Sequence, residues 1–320
     1  SPPAPPGPST PPPPPVEGVT PGLMGFGRFN HDAYSGTLVV TSGSAAQIAS
    51  MRAALLDGAR VILQSGVLIN VTSDIFFGPN AQLISPLDGA GAMVRGLAPI
   101  AVLHIRERNV RVQNIVAHCF GAPAGDIGQK SIRIQGPNAT DIWIDKCTID
   151  HDQQPPDTTY GEGIDFWAWP TTAEAPGDVT ISRTLFEGKT LADVRQKGLL
   201  VGADTQHTGS ARTHITVVES VFKGNQRNGL TGDGSLVHYL NSYWPQVNRI
   251  FGIGVRQSGH AVAEGNIFAN STQSDRWDAN ANASGDTPDT SARLRVPTTG
   301  PGANLLLNGA KVNNVNAASA

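Results

Sequence analysis

Six short stretches of the chain share one alternation of apolar and polar positions. They are "NVRVQNIVA" from Asn109, "DIWIDKCTI" from Asp141, "DVTISRTLF" from Asp178, "HITVVESVF" from His214, "LVHYLNSYW" from Leu236 and "HAVAEGNIF" from His260. Each is apolar at its second and fourth positions, the period of a β-strand rather than of a helix. The ninth position is large and apolar in five of the six: Ile149, Phe186, Phe222, Trp244 and Phe268. The starts lie 32, 37, 36, 22 and 24 residues apart. Strands that share a template at such intervals predict successive coils of a solenoid, the shortest interval being a bare coil and the longer ones carrying loops. Equivalent positions would then stack roughly 4.8 Å apart, and the ninth would form an internal, largely aromatic column. Asn114 and Asn241 share the sixth position, where a stacked amide could satisfy a turn. A β-sandwich also repeats short strands, but at intervals of about 8–12 residues and without a shared aromatic register.

A different period appears in "SAAQIASMRAALLDG". Ser44 is placed to cap a helix whose Ile48, Met51 and Leu55 line one face. Such a helix would close the N-terminal end of the solenoid, as a terminal repeat requires. The predicted class is therefore all-β, a single-stranded parallel β-helix with a short N-terminal capping helix.

Composition divides the chain. Residues 1–15, "SPPAPPGPSTPPPPP", have no large apolar side chains and favour extended polyproline conformation. They are expected to be a linker to an upstream module. Residues 16–320 form one elongated domain in this reading, with a loosely packed tail after about residue 309. Only 15 % of residues are charged and the net charge is −3, with no basic block suited to nucleic acid. No apolar run reaches the length of a membrane span. A monomer is expected. Pro-rich linkers favour a secreted, extracellular setting. Cys119 and Cys147 are offset by four positions in the repeat, ~13 Å along a strand, too far to bridge without a bend.

The few charges have a pattern of their own. Lys130, Asp165, Lys197, Arg227 and Arg256 are separated by 35, 32, 30 and 29 residues, about one coil each. That spacing could place one polar group per coil along one outer face. Any one of them alone reads better as a solvated loop charge, as Arg195 and Lys223 do.

In order, "DIWIDKCTID", "KGLLVGAD", "HITVVESVFKGNQR", "LVHYLNSYW" and "GIGVRQSGHAVAEGNIFANS" resemble segments of the polysaccharide lyase family 1 pectate lyases, as does "SMRAALLDGARVILQSGVLI" nearer the start. The resemblance runs from about Gly25 to Asn270. It implies a right-handed parallel β-helix and β-elimination on α-1,4-linked polygalacturonate, the acidic polymer of plant cell walls. A base removes the C5 proton of a uronate, the C4–O bond breaks, and an unsaturated end remains. The resemblance implies that Arg227 is the base, that Lys197 and Arg256 contact the substrate, and that Asp165 is a Ca²⁺ carboxylate, with Glu162 as a further candidate metal ligand.

The chain also departs from the family. Lys130 stands where an aspartate Ca²⁺ ligand is usual, and an ammonium there would repel Ca²⁺ and could supply part of its charge to the substrate. Lys146 replaces the histidine of "WIDH", and Gly229 replaces a proline. A second arginine expected near Gly232 or Asp233 is missing. Alternatives therefore stay open: a calcium-independent lyase of the pectin lyase kind, or a non-catalytic uronate-binding β-helix. A glycoside hydrolase would need two facing carboxylates, and only Glu162 and Asp165 suggest themselves. Trp167 and Trp169 could stack on sugar rings or simply cover a loop.

Overall fold

The computed structural model describes residues 29–119, 130–151, 160–167, 176–188, 195–202, 213–223, 227–232, 235–246, 251–255, 259–269 and 293–307. The Pro-rich start and the tail after residue 309 lie outside them. Within them the chain winds into three parallel sheets of ten, seven and nine strands; seven successive coils contribute one strand to each sheet, and the terminal strands extend the other two. Alternation explains the arrangement. Each strand turns its apolar residues inward, as in Ile142 and Ile144 or Val179 and Ile181, and these fully buried positions stack into one continuous core. The architecture is a parallel β-helix, as the repeat predicts.

The six templates align in the predicted register. Ile142 pairs with Val179, Asp178 with His214, His214 with Leu236 and Leu236 with His260. The ninth positions meet as a stacked column. Phe186 and Phe222 lie 4.3 Å apart, Phe222 and Trp244 4.8 Å, and Trp244 and Phe268 4.6 Å, with interplanar angles of 4°, 5° and 22°.

The sixth position has another role than the predicted amide stack. Asn114, Lys146, Arg183, Glu219, Asn241 and Gly265 all have φ between 48° and 65°. This left-handed residue turns the chain sharply out of the ten-stranded sheet. Asn and Gly suit it best because their penalty there is smallest. The polar ladder lies one residue later. Thr184 N donates to Ser220 Oγ, Ser220 N to Ser242 Oγ, Ser242 N to Asn266 Oδ1 and Asn266 N to Asn304 Oδ1. These buried side chains satisfy amides at the corner that would otherwise lack partners.

Helix α1 (Ala45–Leu56) is capped by Ser44, whose hydroxyl accepts from Gln47 N, and buries Met51 and Leu55. Ile48 packs partly buried against the same core. Cys119 and Cys147 are buried and are not joined in a disulfide. Among the described residues no helix is long and apolar enough to cross a membrane.

Candidate active site on the seven-stranded sheet

The seven-stranded sheet holds the predicted charges. Its strands in chain order are β1 (Ile75–Phe77), β2 (Ala101–Ile105), β3 (Lys130–Gln135), β4 (Tyr160–Trp167), β5 (Arg195–Val201), β6 (Arg227–Thr231) and β7 (Phe251–Val255). Lys130 pairs with Glu162, Glu162 with Lys197, and Lys197 with Arg227. One row of four charged positions therefore crosses β3 to β6, with successive members one inter-strand spacing apart, ~4.8 Å. The inward residues Ile132, Ile164 and Leu199 anchor the same strands in the core.

Asp165 does not belong to this row. It lies three residues further along β4, ~10 Å away, and pairs with Arg133 on one side and Leu200 on the other. Sequence intervals near one coil length cannot reveal such an offset, because loops of different length enter each interval. Arg133 was missed in the sequence, although its alternation with Ile132 and Ile134 places it on the outer face. Arg256 lies outside the described residues, directly after β7. Arg227 is located by its strand, and the same holds for Trp167 at the end of β4; Trp169 is outside the described residues.

Glu162 is gripped by two ammoniums. Lys197 Nζ donates to Oε1 at 2.8 Å, and Lys130 Nζ contacts Oε2. Lys130 is only 3 % exposed. Burial lowers its pKa to about 8, Asp165 opposes that fall, and Arg133 and Lys197 add to it. Asp165 is fully buried and accepts from Arg133 Nε at 3.3 Å. Lys130, Lys197 and Arg133 thus face Glu162 and Asp165, so the row and its neighbours together present a net positive field to an anionic substrate. Gly163 sits between them because a Cβ there would collide with the Gly198 carbonyl of β5.

These residues do not fit Ca²⁺. The ion takes about 6–8 oxygen ligands. Among the described residues no three metal-ligating side chains gather. Among the described residues only Asp165 Oδ1 is a buried carboxylate oxygen without a hydrogen bond or ion pair, and its other oxygen is held by Arg133. Glu162 has both oxygens engaged by lysines. The expectation of Glu162 and Asp165 as a metal pair therefore meets a site whose positive charge is already supplied by side chains.

Two departures from the family pattern have structural explanations. Gly229 packs under Tyr239, and a Cβ at 229 would collide with the phenol oxygen. Lys146 is an exposed left-handed corner of the ten-stranded sheet, remote from the row of charges. The preceding Asp145 is structural: it is fully buried and accepts from Gln113 Nε2 at 2.6 Å, Ser182 Oγ at 2.7 Å and Arg183 Nε at 2.8 Å.

Residues 91–291 match the family model described as pectate lyase. The chain belongs to the pectate lyase family. Among solved structures it is similar to Jun a 1, the major allergen from cedar pollen, with 16 % identity, a TM-score of 0.53, and coverage of 87 % of this chain and 79 % of that one. At that identity the likeness speaks for the fold, a right-handed parallel β-helix. No curated protein matches the sequence. Membership of this family makes the chain a polysaccharide lyase by class, and the charged row is its candidate active site.

Proposed function

We propose that this chain is a secreted pectate lyase that cleaves α-1,4-polygalacturonate by β-elimination, and that it does so with side-chain cations in the place of Ca²⁺. The observation that carries the reading is the row itself: Lys197 stands opposite Arg227 on adjacent strands, with Lys130 and Glu162 completing it.

The C5 proton of a uronate is weakly acidic. Its removal builds negative charge on the adjacent carboxylate, and a pre-set cation stabilises that charge more than it stabilises the ground state. Lys197 is 15 % exposed at its side chain against 3 % for Lys130, so of these two lysines it is the one placed to meet a carboxylate from solvent. Lys130 holds the other oxygen of Glu162, so Glu162 does not fully neutralise Lys197. In this reading Arg227 in its neutral form takes the C5 proton, the C5–H electron pair becomes the C4=C5 double bond as the C4–O bond breaks, the leaving oxygen takes a proton from water, and Arg227 returns its own to solvent. Arg256 is a substrate contact in this reading through its motif alone. The substrate's source, the plant cell wall, and the Pro-rich start both suit an extracellular enzyme.

Arg227→Lys keeps the charge but moves and reshapes it. Turnover should fall by roughly 10²–10⁴-fold, the usual weight of a positioned base, while polygalacturonate binding is largely retained. Lys197→Ala should weaken binding as well as turnover, because it removes an attraction present in both ground and transition state. Absorbance of the unsaturated uronate product, compared for polygalacturonate and methylated pectin, reads turnover, and calorimetric titration with polygalacturonate reads binding. A wild-type chain that binds polygalacturonate yet forms no unsaturated product would give the case to the non-catalytic binding reading.

A further inference from the structure

The outer face of the seven-stranded sheet continues past the charged row toward the N-terminal coils. There Phe76 on β1 pairs with His104 on β2, and His104 with Arg133 on β3. Phe76 is 39 % exposed, where Phe77 and Phe166 on the same sheet are buried, and its ring lies 4.9 Å from that of His104 at 31°. Arg106, just beyond β2 and exposed, holds its guanidinium 5.6 Å from the Phe76 ring centroid.

The group is built rather than loose. His104 is 3 % exposed, and its Nδ1–H donates to Asp74 Oδ2 at 2.8 Å. Nε2 is then an acceptor and takes a hydrogen bond from Arg106 Nε at 3.2 Å. Arg106 Nη2 donates to Gln135 Oε1 at 3.2 Å, and that oxygen lies 3.0 Å from His104 Nε2. Asp74 is fixed in turn, since Arg52 of the capping helix donates to the carbonyls of Ser73 and Asp74. A chain of hydrogen bonds therefore holds one arginine at the surface beside an exposed ring. Phe76 and Arg106 lie outside the buried core, and the charged row does not use them.

From this juxtaposition we infer a distal sugar-binding subsite for a uronic-acid polymer, in which Phe76 offers an apolar face to a pyranose ring and Arg106 a fork to its carboxylate. Planar bidentate recognition of a carboxylate is what a fixed guanidinium does best. The inference rests on the polyuronate reading of the charged row. From Lys197 on β5 to Phe76 on β1 there are four inter-strand steps, ~19 Å across the sheet, and three residues along the strands, ~10 Å, so ~21 Å in all. A chain seated on Lys197 and running obliquely across the strands reaches the subsite only if it is several residues long. The subsite thus sets a preference for long chains.

The test compares polygalacturonate with trigalacturonate, too short to span that distance, in the full chain and in its Phe76→Leu and Arg106→Gln variants. The preference is the ratio of kcat/KM values, or of calorimetric affinities if the chain binds without cleaving. Wild type should favour the polymer, and each variant should cut that preference about tenfold, the effect of losing one charged hydrogen bond or one sugar contact. Arg106→Lys should recover only part of it, since the fork is lost. A wild type with no preference for the polymer, or variants that keep the preference intact, would overturn the subsite and leave the polyuronate reading standing. A wild type that neither binds nor cleaves either compound would overturn both.

Discussion

Lys130 carries a charge in a nearly dry place, and this has consequences of opposite sign for stability and activity. Between pH about 8 and the ordinary lysine value of 10.5 the unfolded chain holds a proton that the folded chain has released. The stability contribution of this group therefore rises with pH across that window, and below it the buried charge opposes folding. Activity should run the other way. Once Lys130 is neutral, Glu162 draws fully on Lys197, and the row loses the cation it needs for a uronate. We expect kcat/KM to fall as pH rises through about 8, and Lys130→Met to lower the neutral-pH value while removing that fall. A wild-type profile that stays flat well above this pH would contradict the role given to Lys130. Its presence in the sequence was legible as a departure from the family, but its burial and its grip on Glu162 were not. Those depend on which residue stands opposite it on the next coil.

At the scale of elements the sequence was most informative where side chains stack on their own kind. The ninth-position residues fixed the coil register because Phe186, Phe222, Trp244 and Phe268 share both a size and a place in the template. The seventh-position ladder was harder to see, since Thr184, Ser220, Ser242 and Asn266 are chemically different and are united only by a shared hydrogen-bond geometry. The left-handed sixth position was masked likewise, being occupied by Lys146, Arg183 and Glu219 as well as by the residues that prefer it. Stacking also concentrates energy. Phe222 is fully buried between Phe186 and Trp244. Phe222→Ala should destabilise the protein by about 3–5 kcal/mol, the usual range for a buried aromatic, measured by denaturant unfolding. A loss below about 1 kcal/mol would mean that the column closes over the gap, contrary to the rigid stack described here.

The whole molecule turns a one-dimensional spacing into a surface. Lys130, Glu162, Lys197 and Arg227 are scattered over nearly a hundred residues of chain, and parallel register gathers them into one row. The sequence located that row through its coil-length intervals, but it set Asp165 among the cations when the register places it with Arg133. The consequence is central, because the carboxylates expected to hold Ca²⁺ are instead held by lysine and arginine. The most direct measurement is the rate of unsaturated-product formation from polygalacturonate by metal-stripped full-length protein, with excess chelator and then with added Ca²⁺. The account predicts product in chelator at a rate that added Ca²⁺ raises by less than about twofold. Product that appears only when Ca²⁺ is restored would contradict it.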